Sequence, residues 1–262
     1  MAVARRLRTP LGAAVAAIAR VAARAQRRLR PADVQRKGVG DFVTTVDVRC
    51  ERLLRRQLAE LLPAAGFLGE ELAAVDVDQD WLWVVDPIDG TSNFGRGLPH
   101  FAVSVALLWR RLPVLAAIHC LPEDANYVAC HGGGTRRNGK LVRAPDRVLD
   151  DAAIVGCQWH RGQQQMGFLP RIQARGNRLR TFGSTVTQLA DVAMGRLDAN
   201  VQEQGRVWDI AAAGLIVVEA GCRFTDWSGR AVFPFPDLQV EHTPTIAAAP
   251  RAHRELVRAL RS

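Results

Sequence analysis

Two aspartates three residues apart form the clearest chemical signal in the chain. The segment Asp86–Ser92 has the sequence Asp-Pro-Ile-Asp-Gly-Thr-Ser. Proline fixes one φ angle and glycine adopts conformations closed to other residues, so Asp86 and Asp89 can converge on one side of a turn. Two convergent carboxylates suit a hard cation. The amides of residues 90–92 could begin a short helix, whose N-terminus suits a phosphate. The segment therefore predicts a metal and a phosphate side by side.

An ordinary type I turn is the alternative interpretation of this segment. Asp, Pro and Gly are the residues that such turns prefer. Short motifs also match by chance, so the segment alone does not decide between a turn and a site. The choice depends on whether other stretches bring further carboxylates to the same place.

Two apolar runs would deliver acids to one edge of a sheet. Trp81–Val85 is rich in strand-forming residues, so Asp86 and Asp89 leave the end of a predicted buried strand. The run Gly66–Gly69 leads in the same way into Glu70. Both runs place carboxylates where a strand ends.

Asp209 stands at the start of the longest apolar helix pattern. It follows Trp208 and precedes a nearly continuous apolar stretch, so a buried helix is predicted over Val207–Ala220. A carboxylate is costly to bury unless it is paired or bound to a cation. The alternative is an aspartate that caps the helix and needs no metal.

Composition limits the class of protein. The chain has 262 residues, of which 48% are hydrophobic, enough for one large core or two closely joined halves. The net charge of +9 indicates a solvated basic surface or attraction of phosphorylated substrates or nucleic acid. The five cysteines are scattered without a Cys-x-x-Cys pair, so reduced, mostly buried thiols are expected rather than disulfides or a zinc site.

The N-terminus is basic and apolar but does not resemble a targeting segment. Arg20 and Arg24 interrupt the apolar stretch, and apolar residues recur at helical spacing from Leu7 to Leu29. An amphipathic first helix is therefore predicted. No apolar run reaches the length of a membrane span, so we expect a cytoplasmic protein with no membrane contact.

The remaining pattern predicts a mixed α/β layered fold. A loop over residues 37–47 leads to a second amphipathic helix, capped by Asp47 and ending before Pro63. Gly132–Gly134 is interpreted as the turn of a β-hairpin, since the sequence around it does not match a phosphate-binding loop motif. Strands are predicted at Phe101–Trp109, Val114–Leu121, Tyr127–His131, Ala152–Gln158, Leu179–Phe182, Asp198–Val201, Cys222–Asp226 and Thr245–Ala249. Helices are predicted at Gln164–Arg175, Ser184–Met194 and Arg251–Leu260.

Four motifs together resemble the inositol monophosphatase family, within the lithium-sensitive, magnesium-dependent phosphatases. They are Asp41–Asp47 with Glu51, Gly69–Glu71, Asp86–Phe94 and Trp208–Gly214, in family order across most of the chain. The resemblance implies a layered αβαβα sandwich of the sugar-phosphatase type. It also implies a single phosphatase domain over residues 1–262, with halves dividing near residue 150, and commonly a homodimer.

The resemblance implies a metal site made only of oxygen ligands. Glu70, Asp86 and the Ile88 carbonyl would hold one Mg²⁺, and Asp86, Asp89 and Asp209 a second, with Asp86 bridging. Oxygen ligation suits Mg²⁺ better than zinc. Two such ions could activate a water and stabilise the leaving alkoxide. Two or three Mg²⁺ ions are expected, with Mn²⁺ as a substitute and with Li⁺ and Ca²⁺ as inhibitors.

The catalytic roles also follow from the resemblance. Thr91, hydrogen-bonded to Asp41, would act with Glu70 to orient and deprotonate the attacking water. The amides of Gly90, Thr91 and Ser92 would receive the phosphate.

Substrate recognition is less fully specified by the motifs. Asp89 is a candidate substrate-binding residue. Glu203 is the candidate for binding a substrate hydroxyl, although its spacing to Trp208 is one residue shorter than the family pattern. Gly183–Thr185 also departs from the usual Gly-Ser-Ala type sequence. Lys37 is interpreted as a surface lysine, and the histidines have no ligand-like spacing.

The predicted function is Mg²⁺-dependent hydrolysis of a small phosphate monoester, chiefly inositol 1-phosphate or a related polyol or sugar phosphate. Fructose 1,6-bisphosphate, histidinol phosphate and 3′-phosphoadenosine 5′-phosphate remain alternative substrates, because the motifs hold metal and phosphate and not the leaving group. A regulatory protein that binds RNA or a transcription complex is the alternative of another class. The basic first helix and the net charge would suit it, whereas the full set of site carboxylates favours the enzyme.

Overall fold

The computed structural model describes residues 34–38, 41–158, 167–173, 178–238 and 243–261, with side chains from residue 45 onward. The predicted first helix and the ends of the helix predicted at Gln164–Arg175 lie outside these ranges. Within them, none of the helices is both long enough and apolar enough to cross a bilayer.

A seven-stranded sheet carries the first half of the chain. Its strands are β3 (Gly66–Gly69), β4 (Trp81–Asp89), β5 (Ala102–Trp109), β6 (Leu112–Cys120), β7 (Ala125–Cys130), β8 (Gly134–Arg137) and β9 (Lys140–Val142). They lie side by side in this order, and only the β3–β4 pair is parallel. Because these two strands run together with Gly69 opposite Val85, Glu70 and Asp86 emerge at the same edge.

A five-stranded sheet carries the second half. Its strands are β10 (Ile154–Gln158), β11 (Arg178–Arg180), β12 (Ala199–Gln202), β13 (Arg223–Thr225) and β14 (Thr245–Ala248). Their spatial order is β11-β10-β12-β14-β13, with β10 parallel to both β11 and β12 and with β14 antiparallel to its two neighbours. The parallel strands place their carboxyl ends, including Gln158 and Gln202, at one edge.

Six described helices complete five layers. They are α1 (Thr45–Leu61), α2 (Thr91–Arg96), α3 (Phe168–Gln173), α4 (Thr185–Ala193), α5 (Val207–Glu219) and α6 (Pro250–Arg261). Helix α1 packs on the outer face of the first sheet, α4 and α5 lie between the sheets, and α3 and α6 cover the outer face of the second. Because α5 contacts both sheets, it is apolar almost all round. The predicted αβαβα sandwich is confirmed.

The segment before α1 differs from the prediction. Residues 37–47 were expected to form a loop, with Asp47 as the N-cap of the helix that follows, but β1 (Val34–Gly38) and β2 (Asp41–Thr44) pair as an antiparallel hairpin. Helix α1 begins at Thr45, so Asp47 lies in its first turn and the predicted N-cap position is wrong. Asp47 and Glu51 are both fully buried on the inner side of α1. Their carboxylates therefore face the protein interior instead of capping the helix in solvent.

The glycine run and the cysteines have structural roles, as predicted. The amides of Gly132 and Gly134, at the β7–β8 turn, donate to the carboxylate of Glu219 on α5 at 2.6 and 2.8 Å. These bonds fasten the hairpin to the central helix layer. All five cysteines are free thiols, and four of them are buried.

Candidate functional site

The end of β4 presents two buried carboxylates. Asp86 is 1% exposed and Asp89 8% exposed, and the backbone N–H of Ile88 donates to Asp86 Oδ1 at 2.9 Å. Gly90 then turns the chain with φ of 88°, and α2 starts at Thr91 as predicted. A Cβ at residue 90 would lie 2.6 Å from the His100 carbonyl oxygen, so only glycine fits this turn. The turn therefore aims both carboxylates inward and begins a helix beside them.

Asp209 brings a third carboxylate from the far half of the chain. It lies in the first turn of α5, where its Oδ2 accepts a hydrogen bond from the backbone N–H of Arg206 at 3.1 Å. One oxygen from each of Asp86, Asp89 and Asp209 lies within 4.8 Å of the others. Asp209 thus caps its helix and also joins an acidic cluster, so its two interpretations from sequence are compatible. We call Asp86, Asp89 and Asp209 the acidic triad.

The electrostatics of the triad favour a bound cation. Burial, and then the charges of Glu70, Asp89, Asp209 and Asp47, raise the pKa of Asp86 well above its ordinary value. Burial raises the pKa of Asp89 to about 6, although hydrogen bonds from α4 oppose this effect. Burial and the charge of Asp89 raise the pKa of Asp209 to about 7. Carboxylates this close together need protons or a cation, and an all-oxygen set suits a hard divalent ion.

Helix α4 holds Asp89 in place. The Ser184 hydroxyl donates to Asp89 Oδ2 in a short hydrogen bond, and the Val186 backbone N–H donates to the same oxygen at 2.9 Å. Ser184 is also the N-cap of α4, as predicted, because its hydroxyl oxygen accepts from the Thr187 N–H at 3.2 Å. The side chain of Asp89 is therefore oriented by a helix from the other half of the chain.

Thr91 lies between a carbonyl and a carboxylate. Its hydroxyl oxygen is 3.0 Å from the Ile88 carbonyl oxygen and 3.3 Å from Asp47 Oδ1. From sequence, Asp41 was expected to be this carboxylate, and the side chain of Asp41 lies outside the described residues. The acid that the structure brings to Thr91 is Asp47, which from sequence was predicted to be a helix cap and the last residue of the Asp41–Asp47 motif, without a role in catalysis. Its position at the end of that motif could have indicated this role.

Glu51 supports the turn that carries Glu70. Its buried carboxylate accepts from the N–H groups of Glu71 at 2.8 Å and Leu72 at 2.9 Å. A Cβ at Gly69 would overlap this carboxylate, so Glu51 fits closely beneath the end of β3. Glu70 lies next to the triad, and its charge raises the pKa of Asp86, but it is not one of the three converging groups. Its Oε1 is 3.8 Å from the guanidinium of Arg206, a contact that the sequence did not indicate.

Glu203 has a buried carboxylate oxygen at the end of β12. It follows β12 and precedes the loop that leads to Asp209, and its Oε2 is buried with no hydrogen-bond partner among the described residues. The described histidines have other surroundings: His100 stacks on Phe182, and His119 is buried beside Asn126. The side chain of Lys37 and the whole of His160 lie outside the described residues.

Comparison with known proteins finds similar sequences and similar structures. A model of the inositol monophosphatase family matches residues 6–262. The chain is 36% identical over 202 residues to an inositol-1-monophosphatase of Mesorhizobium japonicum, covering 75% of this chain and 76% of that protein. It is 33% identical over 203 residues to the Nus factor SuhB of Escherichia coli, covering 75% and 76%. The extragenic suppressor protein suhB of Bartonella henselae has a similar structure, with a TM-score of 0.88 and 30% identity over 97% of this chain and 99% of that one.

Proposed function

This chain belongs to the inositol monophosphatase family of metal-dependent phosphomonoesterases, and we propose that it hydrolyses inositol 1-phosphate or a related polyol phosphate with Mg²⁺. The observation that carries the proposal is the acidic triad, in which Asp209 meets Asp86 and Asp89 within 4.8 Å although it lies in the other half of the chain. Three such carboxylates in one buried corner stabilise little by themselves and bind a hard cation well.

The donor set fits two divalent ions. The triad would hold one ion, and Glu70 with the Ile88 carbonyl would join Asp86 for another. When bound, the ions neutralise charge on the phosphoryl oxygens and lower the pKa of a coordinated water. Every donor is an oxygen, which supports Mg²⁺, with Mn²⁺ as a substitute.

The side chains around Thr91 can orient the attacking water and accept its proton. The Thr91 hydroxyl donates its hydrogen to Ile88 or Asp47, so its oxygen remains an acceptor for a water proton. Glu70, at the same edge, would take the proton as general base. The first amides of α2 would bind the phosphoryl oxygens, because a helix N-terminus stabilises negative charge. Thr91 therefore links the phosphate position to the water that attacks it.

Uncharged polar groups beside Glu203 support a polyol as the leaving group. Gln202 precedes Glu203, and strand register places Gln158 and Thr245 on either side of Gln202. Each of these three has a buried side-chain polar atom with no partner among the described residues. An unsatisfied buried polar atom costs about 1–3 kcal/mol, so an occupant that supplies hydrogen bonds would recover stability.

We call the side chains of Gln158, Gln202 and Thr245 the polar wall. Their chemistry favours hydroxyl groups over a second phosphate. Amides and a hydroxyl offer both donors and acceptors, which sugar or inositol hydroxyls satisfy directly or through water. A second phosphate would instead face the negative charge of Glu203. The wall therefore supports inositol 1-phosphate over fructose 1,6-bisphosphate and 3′-phosphoadenosine 5′-phosphate.

A side-by-side hydrolysis assay tests the proposal. Purified protein would be given inositol 1-phosphate, histidinol phosphate and the two bisphosphates, with and without Mg²⁺, and released phosphate would be measured. We expect the highest kcat/KM for inositol 1-phosphate and no turnover in EDTA. Turnover of none of these esters with Mg²⁺ would overturn the phosphatase assignment, and a preference for a bisphosphate would overturn the polyol assignment.

The wider proposal includes a homodimer and inhibition by Li⁺ and Ca²⁺, both supported by family membership alone.

A second candidate function is binding to RNA or a transcription complex. The observations that favour it are the net charge of +9 and relatives named Nus factor SuhB. Binding to RNA that weakens steeply with salt and survives Asp86→Asn would support this role, whereas no mobility shift with RNA would dismiss it.

A further inference from the structure

Arg206 contacts two carboxylates of the acidic site. Its Nη1 lies 3.8 Å from Glu70 Oε1, and its backbone N–H donates to Asp209 Oδ2 at 3.1 Å. Its guanidinium carbon lies 5.6 Å from the centre of the Trp208 ring. One residue thus touches two of the carboxylates proposed to hold metal.

The contact with Glu70 leaves much of the guanidinium available. The Arg206 side chain is 46% exposed, whereas the Glu70 side chain is 18% exposed. At 3.8 Å the two groups form a loose ion pair and not a bidentate one, and such pairs contribute little to stability. Stacking on Trp208 limits the directions in which the guanidinium can point. The ion pair of Arg206 with Glu70 therefore stabilises the fold little, but it keeps a positive charge beside the acidic site.

A bound phosphate gives this cation a function. The site has four carboxylates at Glu70, Asp86, Asp89 and Asp209, and a substrate phosphate adds further negative charge beside them. Guanidinium groups bind phosphate through a planar fork of N–H donors that matches its oxygens. We infer that Arg206 is a phosphate-binding residue, which pairs with Glu70 in the free site and turns its guanidinium to the phosphoryl oxygens of a bound substrate. This inference rests on the proposed function.

The positive charge of Arg206 should affect the affinities for Mg²⁺ and for phosphate in opposite directions. A positive charge next to Glu70 repels a divalent ion and attracts a phosphate. Removing it should therefore tighten Mg²⁺ and weaken phosphate, whereas general damage to the site would weaken both. This difference separates a binding role from a structural one.

Arg110 provides a matched control. Its guanidinium also pairs with a carboxylate, Asp80 at 3.1 and 3.2 Å, and also lies over a tryptophan ring, Trp109 at 5.2 Å. It lies at the β5–β6 turn, near the start of β4 and away from the triad at that strand's end. Arg110→Gln removes a similar ion pair and ring contact without touching the site.

Calorimetric titration tests the inference on the whole protein without any turnover. Mg²⁺ would be titrated first, and inorganic phosphate would then be titrated at saturating Mg²⁺. For Arg206→Gln we expect the phosphate Kd to rise about tenfold, the loss of one charge-assisted hydrogen-bonding group, and the Mg²⁺ Kd to fall about threefold. Arg206→Lys should retain part of the phosphate affinity, because it keeps the charge but loses the fork. Arg110→Gln should bind both ligands as the native protein does.

Two results would overturn the inference while leaving the proposed function in place. One is a phosphate Kd for Arg206→Gln within about twofold of native, since a lost charge-assisted bond exceeds that. The other is a parallel rise in both Kd values, which would show structural damage. Failure of the native protein to bind phosphate at saturating Mg²⁺ would count against the proposed function itself, and the inference would fall with it.

Discussion

The Ser184 hydroxyl donates a short hydrogen bond to Asp89, joining the N-cap of α4 to the last residue of β4. The two residues come from different halves of the chain and from adjacent layers of the sandwich. Because the same hydroxyl also accepts from the Thr187 N–H, one side chain caps a helix and orients a proposed metal ligand. Helix stability and the shape of the acidic triad are therefore coupled at this point.

Ser184→Ala should lower both the thermal stability of the protein and its affinity for Mg²⁺. Loss of an N-cap costs about 0.5–2 kcal/mol, so we expect a lower melting temperature by thermal unfolding. Loss of the hydrogen bond to Asp89 removes an interaction that opposes the rise in its pKa, so Mg²⁺ should bind more weakly in calorimetry. Ser184→Thr retains the hydroxyl and is the control. A Ser184→Ala protein that melts earlier but binds Mg²⁺ normally would contradict the proposed coupling.

The raised pKa values of Asp89, about 6, and Asp209, about 7, predict a pH dependence of stability without metal. Both values lie above the ordinary value of 3.8, so the folded state holds protons that the unfolded state has lost. Their contribution to stability is therefore present at low pH and lost as pH rises through about 6 and 7.

Thermal unfolding in EDTA from pH 5 to pH 8 measures this effect. Asp209→Asn removes one of these groups, so the melting temperature of the variant minus that of the native protein should increase with pH. At saturating Mg²⁺ this increase should disappear, because the cation stabilises the ionised carboxylates. The native protein should then have the higher melting temperature. A difference that is constant over this range would show that Asp209 has an ordinary pKa.

Thr91 and Asp47 should affect turnover more than metal binding. General acid–base assistance is worth about 10²–10⁴ in rate, so we expect Thr91→Ala to lower kcat by about a hundredfold. Its Mg²⁺ Kd should stay close to native, and Thr91→Ser should retain most activity. Asp47→Asn should resemble Thr91→Ala because their side chains are hydrogen-bonded. A fall in kcat with Asp41→Asn and none with Asp47→Asn would instead support Asp41 as the partner of Thr91.

Gln202→Leu tests the polar wall beside Glu203. Both amide atoms of Gln202 are buried without partners among the described residues, so an apolar replacement of similar size should be neutral or stabilising in thermal unfolding. If hydroxyls bind here, kcat/KM for inositol 1-phosphate should fall about tenfold, a typical cost of one lost hydrogen bond. Hydrolysis of p-nitrophenyl phosphate, which has no such hydroxyls, serves as the control and should not change. Equal losses on both substrates would contradict a role in specificity.

The sequence predicted the parts of the site that lie at the ends of apolar runs. Asp86 and Asp89 lie in the last part of β4 and Glu70 directly follows β3, strands whose composition identified them. Asp209 lies in the first turn of a helix recognised by its apolar length. The parallel pairing of β3 and β4 then brings Glu70 to the edge where Asp86 emerges.

The contacts that position these groups were not predictable from local pattern. Ser184 and Asp89 are 95 residues apart, and Thr91 and Asp47 are 44 apart. Such pairs arise from layer packing, which leaves no periodicity in the sequence. The β1–β2 hairpin was missed because β1 has the mostly polar sequence Val-Gln-Arg-Lys-Gly, without the alternating apolar pattern of a strand. The Arg206 contact with Glu70 depends on where the loop after β12 ends.

Asp86→Asn tests the central claim most directly, because Asp86 is the proposed ligand of both ions. Asp80→Asn, an exposed acid just before the same strand, is the control. Replacing one buried, repelled carboxylate by an amide removes its desolvation cost and the repulsion from its neighbours, so the metal-free variant should melt at or above the native temperature. Its kcat for inositol 1-phosphate at saturating Mg²⁺ should nevertheless fall by at least about a thousandfold, because transition-state charge would lose its stabilisation. A folded Asp86→Asn protein with near-native kcat would contradict the account.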